Sequence, residues 1–326
     1  MIITEKSIEG SILFSPLGLG CDEIRILTGY ATASMASRYI ELLKESKSHD
    51  IKIKIIHGMA PSDGIINIQH ENFKKLMDES NGNFEFSYIM NSHAPCHAKV
   101  YVWLKKGVPI KAFIGSANFT QNAFYSPQRE AMYECNPRDA FDYYNSFSPH
   151  IILCNHNEVE DAVNIMSKQQ YRDRNSKVNE TGDKVSPENS GFLSKTLSLL
   201  GTNGKMGTRS SLNWGQRESR DRNQAYIPVQ RHVAKSRFFP GKDQHFTVIT
   251  DDGFSMICSL AQGDKDGKAI HTPLDNAELG RYFRKRIGVP SGAYVKKEDL
   301  EGYGRTDVTF LKVDDETYYM DFAVHK

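Results

Sequence analysis

The hydrophobic positions change period along the chain. Ile24 to Tyr30 is an apolar run of strand length, and Ala33 to Lys47 places Met35, Tyr39, Leu42 and Leu43 at helical spacing. Ile51 to Ile56 alternates isoleucine with lysine as a second strand ending at His57-Gly58. A helix is predicted from about Ile66 to Glu79 and a third strand from Phe84 to Met90. From His97, Ala-Lys-Val-Tyr-Val-Trp alternates again and is rich in β-branched and aromatic residues, which predicts a strand with His97 and Lys99 on one face. Lys105 to Pro109 reads as a turn, and Ile110 to Ile114 as the returning strand, ending at Gly115-Ser116. Alternating strands and helices predict an α/β domain whose sheet is largely parallel and is extended by this hairpin into a mixed one.

The second half reads differently. From Cys154 to about Leu193, Asn, Ser, Lys, Glu and Gln dominate, predicting a helix and then a flexible linker. Beyond it, Tyr226–Val229, Phe246–Thr250, Phe254–Leu260, Val308–Val313 and Thr317–Val324 are short strand-like runs separated by turns. Such spacing predicts a small β-barrel-like domain with one or two helices. The expected division is a first domain at 1–170, a linker at 171–192 and a second domain at 193–326. A chain of 326 residues is long enough for both to bury cores.

Charge sharpens this division. The net charge of +1 hides 21 Lys+Arg against 17 Asp+Glu in residues 190–326, and 20 against 23 before them, so the second domain is the expected seat of a polyanion contact. Five scattered cysteines without a C-x-x-C pair indicate reduced thiols and a cytoplasmic location. No apolar run approaches the ~20 residues of a spanning helix, so no membrane partner is expected. Ser92 to His97 holds His and Cys, but no second cluster would complete a tetrahedral site, so no metal is expected.

The candidate chemistry lies at the hairpin. His97-Ala98-Lys99 is followed one hairpin later by Gly115-Ser116-Ala117-Asn118, which joins an imidazole nucleophile to an ammonium, a hydroxyl and a carboxamide. Unprotonated His97 can attack phosphorus to form a phosphohistidine, while Lys99, Asn118 and Ser116 hold the non-bridging oxygens as charge develops. The set resembles the signature of the phospholipase D-like phosphodiesterases. The aspartate usual a few residues after the lysine is missing here, where Trp103 and Leu104 stand, which weakens a lipid-enzyme reading more than a nuclease one. A second histidine is needed as general acid. With one H-x-K in the chain, it is expected from the other subunit of a two-fold homodimer, with His57 as the internal alternative. Glu130 is the expected carboxylate orienting His97, with Glu134 in reserve. Cleavage is then expected to need no metal.

Two basic stretches follow. Lys205 to Lys242 carries nine basic and two acidic residues; Arg281 to Lys297 carries six basic residues and no acid. Arginine predominates, and its fork suits phosphate and guanine. The segment from Leu212 to Arg217, running on through Arg222 to Val229, is similar to the opening of the DNA-recognition barrels of some restriction endonucleases, a fold shared with plant B-three transcription-factor domains. That resemblance implies two arms gripping the major groove. Asn213, Trp214, Gln216, Arg217, Arg220, Arg222 and Asn223 fall in the first, and Arg281, Arg284, Lys285, Arg286, Lys296 and Lys297 in the second.

Together the halves resemble the NgoFVII-type restriction endonucleases. This implies a site-specific endodeoxyribonuclease acting on double-stranded DNA, companion methyltransferases, and in some systems a separately encoded helicase-type ATPase. No G-x-x-x-x-G-K-[ST] occurs here, so any ATP use is expected in a partner. Two rivals are a phospholipid-acting or a nonspecific phosphodiesterase, against which the basic arms argue. A third is a DNA-binding regulator with a silent, dimerising first domain, which would tolerate loss of His97.

Overall fold

Strand β2 (Glu23–Thr28) lies inside an eight-stranded sheet because Ile24, Ile26 and Leu27 are apolar on both faces and need cover on both. The computed structural model describes residues 2–4, 8–46, 48, 50–125, 128–167, 193–201, 203–242, 244–261, 267–313 and 315–324. They fall in two units, Met1–Asp183 and Lys184–Lys326. The expected linker at 171–192 lies outside the described residues.

In the first unit the other sheet strands are β1 (Ile2–Thr4), β3 (Lys52–His57), β5 (Phe84–Ile89), β6 (Val100–Lys105), β7 (Val108–Gly115), β8 (Ala131–Cys135) and β9 (Ile151–Leu153). They run in the order β1-β8-β7-β6-β2-β3-β5-β9. Only β2, β3 and β5 are mutually parallel and every other pairing in this sheet is antiparallel, so the sheet is mixed as expected, with fewer parallel pairings than the strand–helix alternation implied. Helix α1 (Ala33–Glu45), capped by the Thr32 hydroxyl, packs on α2 (Asn67–Glu79), which covers β5. Helix α3 (Pro137–Asn145) covers β2, β6 and β7, burying Ala140 and Tyr144 with Leu27, Val102 and Leu104. Alternate residues of β6 point to the other layer, where the Trp103 indole donates to the Ile12 carbonyl at 2.6 Å.

The hairpin is tighter than expected. Lys106 and Gly107, with φ of 51° and 79°, form the whole turn, as a mirror-type two-residue connection requires. Strand β6 begins at Val100 rather than His97. Pro95 has no N–H, and the Cys96 N–H goes instead to the Gly58 carbonyl at 2.9 Å, so the residues before Val100 leave the ladder. Among the described residues, the helix expected after Cys154 is the single turn Val159–Ala162. The two-residue strand β10 (Ile165–Met166) follows it, paired with β4 (Ile65–Ile66).

The second unit is a seven-stranded sheet in the order β11-β16-β17-β13-β14-β15-β12, from β11 (Ser194–Ser198), β12 (Ile227–Pro228), β13 (His245–Thr250), β14 (Ser255–Ala261), β15 (Ala269–His271), β16 (Asp307–Lys312) and β17 (Thr317–Asp321). Its end strands β11 and β12 approach each other, so the sheet curls nearly closed around Leu197, Ile227, Phe246, Met256, Phe310 and Tyr318. Strands β11 and β15 lack an apolar run long enough to be predicted. Helices α4 (Glu278–Arg286) and α5 (Lys297–Tyr303) complete the unit.

Candidate active site and nucleic-acid interface

In the first unit, β2 ends at Thr28 and β7 at Gly115, and the loops that follow are laced together. The Thr28 hydroxyl donates to the Tyr30 carbonyl at 2.8 Å and accepts from the Phe119 N–H at 3.1 Å. The Tyr30 N–H donates to Asn118 Oδ1 at 3.1 Å. An N–H must meet an acceptor, so this bond fixes the orientation of the Asn118 carboxamide and leaves its Nδ2 as the free donor.

Gly29, between these anchors, makes the site possible. A methyl group built there would lie 2.7 Å from His97 Cδ2 and 3.3 Å from both His97 Nε2 and Asn118 Oδ1. The nucleophile candidate and the carboxamide thus lie over one glycine. The Tyr30 ring stands edge-on to the His97 ring, 5.7 Å between centroids, while its hydroxyl donates to Asp63 Oδ2 at 2.5 Å. His97 itself is exposed. Its backbone is held where the neighbouring Cys96 carbonyl presses on Gly58, with no room for a Cβ.

Lys99 is buried and its ammonium donates to the His97 carbonyl at 2.6 Å. Burial pulls its pKa below the usual lysine range, and the Glu130 carboxylate pulls the other way. Glu130 was expected to orient His97. Its carboxylate instead accepts from the Ser116 hydroxyl and, at 2.5 Å, from Gln128 Nε2. The cause is register: Gly115 pairs with Met132, which sets the residues just beyond the two strand ends, Ser116 and Glu130, against each other. The reserve Glu134, four residues further on in β8, pairs with Lys111 at 3.2 Å.

His57, the internal alternative for the general acid, is enclosed by the rings of Tyr30, Phe86 and Tyr88, with neither ring nitrogen hydrogen-bonded to a described residue. Burial pushes its pKa down to about 4, so at pH 7 it has no proton to give. Sequence reasoning missed Thr28, Gly29, Tyr30 and Asp63; a glycine closing the first apolar strand was the available signal. Among the described residues no three His, Cys, Asp or Glu side chains converge as metal ligands, and no helix is long and apolar enough to cross a membrane.

In the second unit the two expected arms are clasped together. Asn213 is fully buried: its amide nitrogen donates to the Gly207 carbonyl at 3.0 Å and the Val295 carbonyl at 2.7 Å, and its oxygen accepts from the Val295 N–H at 2.9 Å. Arg284, 1% exposed, donates to the carbonyls of Ala293, Gly280 and Leu212. Arg286 pairs with Asp251 and donates to the hydroxyls of Tyr282 and Tyr303, which hold its guanidinium above the usual arginine pKa. These three are scaffold rather than base readers, because their donors already satisfy buried acceptors.

Asn223 holds the Gly292 N–H at 2.7 Å and Ser291 Oγ at 3.0 Å. Half-buried Trp214 lies beneath the guanidinium of Arg220, 4.1 Å from its ring centroid. Arg281 is paired with Asp275, and Lys297 with Glu301. Exposed are Arg217, Arg220, Arg222, Arg281, Lys285 and Lys296, the last at the N-cap of α5. The arms therefore project a cationic surface from a rigid base.

Residues 6–161 match the NgoFVII restriction endonuclease N-terminal PLD domain, and residues 189–314 match the NgoFVII C-terminal B3-like DNA-binding domain. Among solved structures, the chain is similar to Nuc, a phospholipase D family member from Salmonella typhimurium, at 14% identity and TM-score 0.34, covering 47% of this chain and 97% of that one. It is also similar to NucT from Helicobacter pylori, at 16% identity and TM-score 0.32 over 47% and 97% of the two chains. Phosphatidylserine synthase from Haemophilus influenzae Rd KW20 is similar at 12% identity and TM-score 0.32 over 48% and 38%. No curated protein matches the chain.

Proposed function

Because the chain belongs to the NgoFVII restriction endonuclease family, with a phospholipase D-like nuclease domain and a B3-like DNA-binding domain, we propose that it cuts double-stranded DNA at specific sites through a phosphohistidine, without a metal ion. The observation that carries the mechanism is the placing of His97 and Asn118 over Gly29, with Lys99 anchored two residues from the nucleophile.

His97 Nε2 attacks phosphorus, forming a P–N bond as the bond to the leaving oxygen breaks. That oxygen takes a proton from a second imidazole. Water then attacks phosphorus, gives its proton to that imidazole, and releases His97. Asn118 Nδ2 and the Lys99 ammonium stabilise the negative charge on the non-bridging oxygens. Ser116 links the Glu130 carboxylate to this edge of the site, where it offsets the burial that would discharge Lys99. With His57 enclosed, the second imidazole is His97 of another copy, and the working enzyme is a homodimer. The enzyme works in the cytoplasm beside companion methyltransferases that protect host sites, in some systems with a separately encoded helicase-type ATPase.

The test is cleavage of unmethylated plasmid by the chain alone in EDTA, comparing wild type with His97→Ala. Defined fragments from the wild type and a fall of about 10⁴-fold in the variant are expected. Equal cutting by both, or cutting by the chain alone that appears in Mg²⁺ and is abolished by EDTA, refutes the mechanism.

A further inference from the structure

Arg222 differs from every other exposed arginine of the arms in being positioned by both arms together. We propose that Arg222 reads a guanine of the target duplex and that Gln216 is the positioning residue that aims it. The inference rests on the DNA-binding reading of the second unit.

The geometry runs through Gln216. Its amide oxygen accepts from Arg222 Nη1 at 3.0 Å, and its amide nitrogen donates to the carbonyls of Gly292 at 3.1 Å and Arg222 at 3.3 Å. The first arm thus holds the guanidinium at one corner, and the second arm holds the amide that does so. Gly292, at φ +75°, packs against the root of the same side chain, where an added Cβ would lie 3.1 Å from Arg222 Cβ. Next in sequence, Asn223 fastens Ser291 and Gly292.

The contact to Arg222 is from a neutral amide, so its charge is not cancelled, and the edge formed by Nε and Nη2 keeps two parallel donors. Those donors match the O6 and N7 acceptors of guanine in the major groove. Holding the fork before DNA arrives also reduces the side-chain ordering needed on binding. The other exposed arginines lack this combination. Among the described residues, Arg281 is neutralised by Asp275, Arg220 lies over Trp214 and donates to Gln224, next to its own arm in sequence, and Arg217 is held by the Arg209 carbonyl, with no contact to the second arm. Phosphate contacts suit them better, since these fix register without reading sequence.

The experiment is selection of bound duplexes from a library with a randomised centre by full-length wild type, Arg222→Ala, Arg222→Lys and Gln216→Ala. The wild type is expected to enrich a consensus. In Arg222→Ala one guanine position becomes degenerate while the rest persists, with affinity for the wild-type consensus falling by roughly 5- to 150-fold. Arg222→Lys fails to restore that position, because an ammonium lacks the fork. Gln216→Ala weakens the preference at that position alone, whereas a loosened fold would flatten the consensus everywhere. A consensus unchanged in Arg222→Ala, or flattened uniformly in Gln216→Ala, overturns this inference and leaves site-specific binding standing. A wild type that enriches no sequence overturns both.

Discussion

The two units use buried polar groups to opposite ends. In the first, a shell of tied groups surrounds a free one: Thr28 and Tyr30 fix Asn118, Ser116 and Gln128 occupy Glu130, and Lys99 is fastened to a backbone carbonyl, while the His97 ring is exposed above Gly29. In the second, Asn213, Arg284 and Arg286 are consumed in holding loops to the barrel, and the groups left outside are less constrained cations. Chemistry at phosphorus needs a nucleophile placed to a fraction of an ångström. Adhesion to a charged backbone needs a rigid base and a surplus of positive charge. An asparagine thus faces the proposed site in one unit, at Asn118, and is consumed by the fold in the other, at Asn213.

The sharpest break of this contrast is Arg284→Leu. If Arg284 is scaffold, the change strands the Ala293 and Leu212 carbonyls and lowers unfolding free energy by about 4 kcal/mol in chemical denaturation. Unchanged stability with weakened DNA affinity would instead return Arg284 to the interface.

Somewhat smaller is the pH response of His57. Its ring titrates near pH 4 in the fold and at ~6.5 when unfolded, so between those values the unfolded chain binds more protons. The contribution of neutral His57 is complete above about pH 6.5 and falls by about 3 kcal/mol as pH drops towards 4. His57→Phe should remove that slope, seen as a gap in thermal midpoint from wild type that widens at acid pH. A constant gap would show that the ring is not buried neutral.

Gly29→Ala is the finest probe. The three heavy atoms nearest the added methyl belong to His97 and Asn118, so cleavage should slow about 100-fold, equivalent to ~2.7 kcal/mol, with DNA affinity unchanged. An unaltered rate would mean that His97 does not act from this position.

The candidate site was legible to the extent that it is local. His97, Lys99, Ser116 and Asn118 belong to one hairpin, and a two-residue turn brings its ends together whatever the rest of the chain does. Glu130 was found as a nearby carboxylate but given the wrong partner, since its true one follows from the register of β7 and β8. Gly29 and Tyr30 escaped notice because their role depends on the packing of β2 beside β6, a pairing between distant segments. In the arms, the helical period that buries Leu279 and Phe283 carries Gly280 and Arg284 inward with them, so Arg284 could have been separated from Arg281 and Lys285.

By itself, then, the amino-acid sequence determined the longer central elements, the change from an α/β unit to a barrel-like one, the residue types gathered at the hairpin and the cationic character of the arms. These depend on periodicity, side-chain type and short spacing, which are properties of contiguous residues. The tertiary structure alone decided which polar groups remain free. A hydrogen bond between distant segments consumes a donor that sequence counts as available, and only the packed fold says which donors are taken.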